Sequence, residues 1–190
     1  MGKEEVNKVR KTIEQNPSLR KRIYNCLTGN CKEKIIGEST RIVYRIEDFA
    51  LKVPRTNFLG QEEIVKEIAF FNYIENRNYP APEFTIGVKT NDMYGILTQD
   101  LTEGGKYIVR DFGRELKQLE NYKDLLRKWS EYYGALCNIF GERINTALFV
   151  QIEGNSGQLI FGDGDQLKVT PEIIEELDRD YKKKSYIIEI

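Results

Sequence analysis

From Ile35 onward the apolar residues of this 190-residue chain change their period, and that change limits what it can fold into. Before it, Val6, Val9 and Ile13 recur at helical spacing, and so do Leu19, Ile23 and Leu27 after Pro17. Two helices are predicted over residues 3–27, with Pro17-Ser18 opening the second and Gly29-Asn30 ending it. After it, Ile42, Tyr44 and Ile46 alternate with Arg41, Val43 and Arg45, and Phe49, Leu51 and Val53 alternate with Ala50 and Lys52. A period of two around the turn Glu47-Asp48 predicts an antiparallel hairpin. Residues 61–76 return to a helical period until Tyr79-Pro80-Ala81-Pro82 breaks it, because proline disfavours helix in the residue before it. Residues 84–89 and 93–99 then predict two more strands, and Gly104-Gly105 closes the block.

A long helix is predicted over residues 122–140. Leu125, Leu126, Trp129, Tyr132, Tyr133, Leu136, Ile139 and Phe140 form a wide apolar stripe suited to a buried central position. Short strands follow over residues 147–152 and 158–161, around a turn at 153–157. Beyond Asp165 the pattern predicts a strand, a helix near Pro171 and a final extended segment at 186–188. The class is α+β in three sections: a helical extension over 1–33, a mixed section over 34–103, and the remainder over 104–190.

The chain contains no histidine, which excludes Ser-His-Asp and Cys-His catalysis and histidine-ligated zinc. Its 29 Lys and Arg nearly balance 30 Asp and Glu, for a net charge of -1, so overall charge does not hold it on nucleic acid or an anionic membrane. Arg20, Lys21 and Arg22 read as a solvated helix face. Cys26 and Cys31 bracket four residues and leave a redox pair open; two free thiols in a reducing cytosol is the simpler reading. With no apolar leader and no run near the ~18 residues of a membrane span, a soluble cytoplasmic protein is expected.

Lys52 carries the first chemical signal. It lies on the strand face opposite Phe49, Leu51 and Val53, where an edge-strand lysine would simply remain in water. In the next helix, however, Glu67 falls on the apolar face marked by Ile64, Ile68 and Phe71. A carboxylate directed inward needs a partner, because an unpaired buried charge costs several kcal/mol. Lys52 is the natural candidate, and a strand lysine paired with a helix glutamate is what positions an amine at nucleotide phosphates.

With these residues the chain resembles the protein kinases. The segment from Ile36-Gly37-Glu38 through Ser39, Thr40 and Arg41 to Ile46 looks like their glycine-rich hairpin. Ala50-Leu51-Lys52-Val53 resembles the strand bearing the phosphate-binding lysine, and Lys66-Glu67-Ile68 the αC helix with its glutamate. Residues 94–101 are similar to the fifth strand and hinge, with Thr98 near the gatekeeper position and Gln99, Asp100 and Leu101 offering backbone groups to adenine. The resemblance implies an antiparallel amino-terminal lobe with αC over 34–103 and a reduced, mainly helical carboxy-terminal lobe over 104–190.

Departures from the pattern fall on functional positions. The loop keeps Gly37 but has Ser39, Thr40 and Arg41 where further glycines would allow close approach of backbone to phosphate, and Arg41 is available to replace some of that interaction with charge. The catalytic triplet falls on Phe140-Gly141-Glu142, so Glu142 replaces the usual aspartate and Ala147 the metal-binding asparagine; a register slipped by two offers Asn145 instead. Asp163-Gly164 is the counterpart of the metal-binding Asp-Phe-Gly, with Asp165 a second candidate ligand for Mg²⁺. Leu167, Val169 and Ile174 rule out an EF-hand there. With 25 residues after Asp165, a full activation segment does not fit, so the lobe is minimal or is completed by another chain, a second copy included.

The resemblance thus implies an ATP- and Mg²⁺-dependent phosphotransferase. Lys52 and Glu67 would act on the phosphates, Asp163 and Asp165 on the metal, and Glu142 near the acceptor hydroxyl, expected to be a protein Ser or Thr. The alternatives are a pseudokinase that works by contacting a partner protein and an interaction module docking through residues 1–33.

Overall fold

In the computed structural model, the described residues are 3–38, 41–55, 67, 68, 70, 71, 73, 74, 77–91, 93–109, 114–140, 148–162 and 187–190. Two helices come first, α1 (Lys3–Gln15) and α2 (Pro17–Leu27). Asn16 caps the second: its side-chain oxygen accepts from the backbone N–H of Leu19 at 3.0 Å, and Pro17 supplies a first-turn residue with no N–H to satisfy. Strands β1 (Lys34–Glu38), β2 (Arg41–Ile46) and β3 (Phe49–Pro54) follow, with Glu47 at φ 56° in the tight β2–β3 turn. Glu67, Ile68, Phe70, Phe71, Tyr73 and Ile74 are helical. Strands β4 (Thr85–Lys89) and β5 (Tyr94–Gln99) complete an antiparallel run.

The first sheet has six strands in the order β1-β2-β3-β5-β4-β9. Its last member is β9 (Ile187–Glu189), which the sequence reading grouped with the third section, 104–190. Ile188 instead pairs parallel with Val88 of β4 and is buried among the apolar residues of the first sheet.

The amino-terminal helices are likewise no mere extension. Val6, Val9 and Ile13 of α1 and Leu19, Ile23 and Leu27 of α2 share one core with Leu51, Val53, Ile86, Val88 and Leu97 of the sheet. Each such buried side chain contributes about 1.5–3 kcal/mol. Gly95 allows the close approach: a Cβ there would lie 2.7 Å from Leu27 Cδ2. The apolar face of these helices is therefore spent on the sheet.

The second core lies beyond the Glu67 helix. A three-stranded antiparallel sheet, β6 (Tyr107–Val109), β7 (Leu148–Glu153) and β8 (Ser156–Phe161), packs with helix α3 (Tyr122–Phe140). Short 3-10 turns occupy Glu103–Gly105 and Glu115–Gln118. Among the described residues this part is mixed rather than mainly helical, because alternation in 148–161 closes a hairpin on the two-residue turn Gly154-Asn155. Along α3, Leu125 and Leu136 are buried and Trp129, Tyr132 and Tyr133 pack against the second core, whereas Leu126 stays 39% exposed, so the helix is amphipathic over these residues.

Phe70, Phe71, Tyr73 and Ile74 join this second core while Ile68 joins the first, so the helix carrying Glu67 stands between the two. Cys26 and Cys31 form a disulfide, which corrects the reading of them as free thiols. The end of α2 and the turn through Gly29, at φ 81°, bring their Cα atoms to 4.1 Å; Cys137 keeps a free thiol. Among the described residues no helix is long and apolar enough to cross a membrane.

Candidate functional site

β3 lies inside the sheet, between β2 and β5, so Lys52 is not an edge-strand lysine. Alternation sends Leu51 toward α2 and turns Ala50 and Lys52 to the opposite face. There the Lys52 ammonium donates to Glu67 Oε1 and, at 2.6 Å, to the carbonyl of Gly162 just past β8. The ring of Phe71 lies 5.8 Å from its nitrogen. Glu67 is wholly buried, and its second oxygen accepts from Arg41 Nη1. Arg41, available in the sequence reading to face phosphates, is ion-paired to Glu67. Burial explains this: a carboxylate removed from water holds cations that neutralise it, and breaking such a pair is strongly destabilising.

Lys52 opens on a cleft of about 390 Å³, within the range of small-molecule sites. Its lining draws Ile36, Gly37, Val43, Ala50 and Lys52 from the first three strands. Thr98 to Thr102 line it as well, and Ile108, Phe149 and Gly162 contribute from the second sheet and its ends. Apolar side chains from both sheets thus share one cleft with the Lys52 amine.

No family model and no curated protein matches this chain. Its structure is similar to that of the Helicobacter pylori proinflammatory kinase CtkA, with a TM-score of 0.54 at 12% identity, over 79% of this chain. The fold is kinase-like. The chain spans about 62% of the length of CtkA.

Thr98 to Leu101 lie at the end of β5 on the way to β6 of the second sheet, and side chains from both sides hold them. Thr98 donates to the carbonyl of Phe84 at 3.0 Å. The Asp100 carboxylate accepts from Arg45 Nε at 2.5 Å, from the Thr102 backbone at 2.9 Å and from its hydroxyl at 2.6 Å. Burial by itself would raise the Asp100 carboxyl, but the Thr102 hydrogen bonds and the Arg45 guanidinium outweigh it and hold it below the usual aspartate range. From β7, the Gln151 amide donates to the carbonyl of Leu101 at 2.7 Å.

Of the residues singled out in the sequence, Gly37, Lys52, Thr98, Gln99, Asp100 and Leu101 come together around the cleft, with Glu67 directly behind Lys52. Ser39, Glu142, Asn145, Ala147, Asp163 and Asp165 lie outside the described residues. Among the described residues no group of three Cys, Asp or Glu side chains is placed to hold a metal. Sequence reading missed Arg45, Gln151 and Phe149. The alternation of Arg41, Val43 and Arg45 puts all three on the face of Lys52 and was a usable signal for Arg45. Gln151 carries no local signal, since its partner Leu101 lies 50 residues away, and Phe149 meets Gly162 only once the β7–β8 hairpin has closed.

Proposed function

We propose that this chain binds ATP in the cleft and transfers its γ-phosphate to a hydroxyl, that of a protein Ser or Thr. The observation that carries this reading is the buried Lys52–Glu67 pair opening on a cleft bounded by a hinge. The residues fit a purine nucleotide: Val43, Ala50 and Phe149 give the cleft apolar lining for a ring, Gln99 to Leu101 line it with them, and Lys52 supplies positive charge for the phosphates. Asp163 and Asp165 would hold Mg²⁺, which would neutralise charge on the phosphates of the nucleotide. Glu142 would orient the acceptor hydroxyl. Phosphoryl transfer asks a protein mainly for positioning and charge, so it tolerates the change from aspartate to glutamate.

Ala147, at the position of the metal-binding asparagine, favours a second reading, a pseudokinase that binds nucleotide weakly or not at all and acts by contacting a partner protein. Thermal unfolding with and without Mg²⁺-ATP, in the wild type and in Lys52→Met, separates the readings when paired with an assay of phosphate release. A ligand confined to the folded state adds about 2.7 kcal/mol at a hundredfold excess over Kd. Stabilisation lost in Lys52→Met, with turnover, supports the phosphotransferase; the same stabilisation without turnover supports the pseudokinase. No stabilisation in either protein sinks the phosphotransferase and leaves a pseudokinase that works by contacting a partner.

A further inference from the structure

The register that turns Lys52 into the cleft does the same for Arg41. Val43 stands opposite Lys52, and Arg41 lies two residues along β2 on the same face. Both side chains end on Glu67 but on different oxygens, Lys52 on Oε1 and Arg41 on Oε2. Both also line the cleft, next to Gly37 and Glu38 of β1. Arg41 is only 3% exposed, and arginine is rarely buried so far without a paired or functional role.

A lone lysine–glutamate pair faces a conflict when a phosphate arrives. Turning the amine to the anion strips the buried carboxylate of its counter-ion, which is strongly unfavourable. With cations on both of its oxygens, Glu67 keeps a partner when either one turns to an anion. The sequence after Gly37 meanwhile reads Glu38, Ser39, Thr40, Arg41, without the further glycines that let loop amides close on phosphates. A guanidinium supplies what such a loop lacks, because its planar fork matches phosphate oxygens.

We propose that Arg41 is a second phosphate-binding residue. Together with Lys52, and braced by Glu67, it forms a two-cation cradle that selects nucleotides bearing β- and γ-phosphates over the bare nucleoside. This rests on the nucleotide-binding reading above and names the part of the ligand that Arg41 takes.

Calorimetric affinities for adenosine, ADP, ATP and inorganic tripolyphosphate, measured on wild type, Arg41→Gln and Arg41→Lys, test it. Loss of one charge-assisted hydrogen-bonding group predicts an ATP and tripolyphosphate affinity lowered about 10- to 100-fold in Arg41→Gln. Adenosine affinity stays within about twofold, as for independent sites. Arg41→Lys recovers part of the ATP affinity by restoring charge without the fork. ATP binding unchanged in Arg41→Gln overturns the proposal, and so does an equal loss for adenosine and ATP, which would mark a packing role. Should Arg41→Gln fail to fold, Arg41→Lys carries the test, and a preference for ATP over adenosine equal to that of wild type overturns the cradle. Wild type that binds neither adenosine nor ATP removes the nucleotide reading and the cradle with it; binding that ignores Arg41 removes the cradle alone.

Discussion

Lys52 of β3 and Gly162 at the end of β8 are joined by a hydrogen bond, the ammonium donating to the carbonyl at 2.6 Å across 110 positions of sequence. The same ammonium reaches Glu67, so one side chain ties the first sheet, the helix between the two cores and the end of the second sheet. Whatever moves Gly162 moves the environment of Lys52.

Substitution Gly162→Ala tests how tightly that junction is packed. A Cβ at this position would lie 2.9 Å from Phe149 Cδ2 and 3.2 Å from Leu101 Cδ1. Phe149 is itself buried and lines the cleft, so its ring can make room only by shifting into the cleft. Overpacking of this kind costs about 1–3 kcal/mol, and the midpoint of urea unfolding is expected to fall accordingly. An unchanged midpoint would show that the junction is loose.

Asp100 makes the segment after β5 sensitive to acid. Its folded-state pKa lies below the ordinary aspartate value of about 3.9, so it stabilises the fold above that pH. The contribution is lost as pH falls through the lower folded value. Asp100→Asn is expected to be less stable than wild type at neutral pH by about 1–3 kcal/mol, the worth of hydrogen bonds to a charged group. Denaturant midpoints of the two proteins should converge below about pH 4. A difference that stays constant down to pH 2 would place the stabilisation elsewhere.

The Cys26–Cys31 disulfide gives a count. Under denaturing, non-reducing conditions a thiol reagent should find one thiol, that of Cys137, and three after reduction. Cys31→Ser opens a short loop and should lower stability by about 2 kcal/mol on the chain-entropy model. Three reactive thiols in the purified, unreduced protein would contradict the pairing.

Gly95 and Leu27 provide a test that α2 belongs to the sheet's core. Leu27→Ala should cost about 2–5 kcal/mol, as for other buried leucines. Gly95→Ala should also destabilise, since its Cβ would meet Leu27 Cδ2 at 2.7 Å and the Lys52 carbonyl at 3.1 Å. In the double variant the new methyl enters the space the leucine left, so the summed losses should exceed the measured one. Strict additivity in unfolding experiments would mean that α2 does not press on Gly95.

Much of the first sheet was legible because strand alternation is a local code. Leu51 and Lys52 are neighbours, and a period of two is enough to assign them to opposite faces. The three-residue offset of Glu67 from Ile64 likewise puts it on an apolar helix face before any fold is known. The end of β5 followed in the same way, from an apolar strand that closes on polar Thr98 and Gln99.

Partner choice was not legible in this way. Arg41 on Glu67, Gln151 on the Leu101 carbonyl and Ile188 beside β4 join groups 26, 50 and about 100 residues apart. Nothing within one turn or one strand distinguishes an arginine that will face a ligand from one that will neutralise a buried carboxylate. The sequence by itself determined which face each side chain takes, since that depends on residues two to four positions away. Which groups then meet was decided by the tertiary structure, because burying Glu67 between two cores makes its neutralisation a condition of the fold.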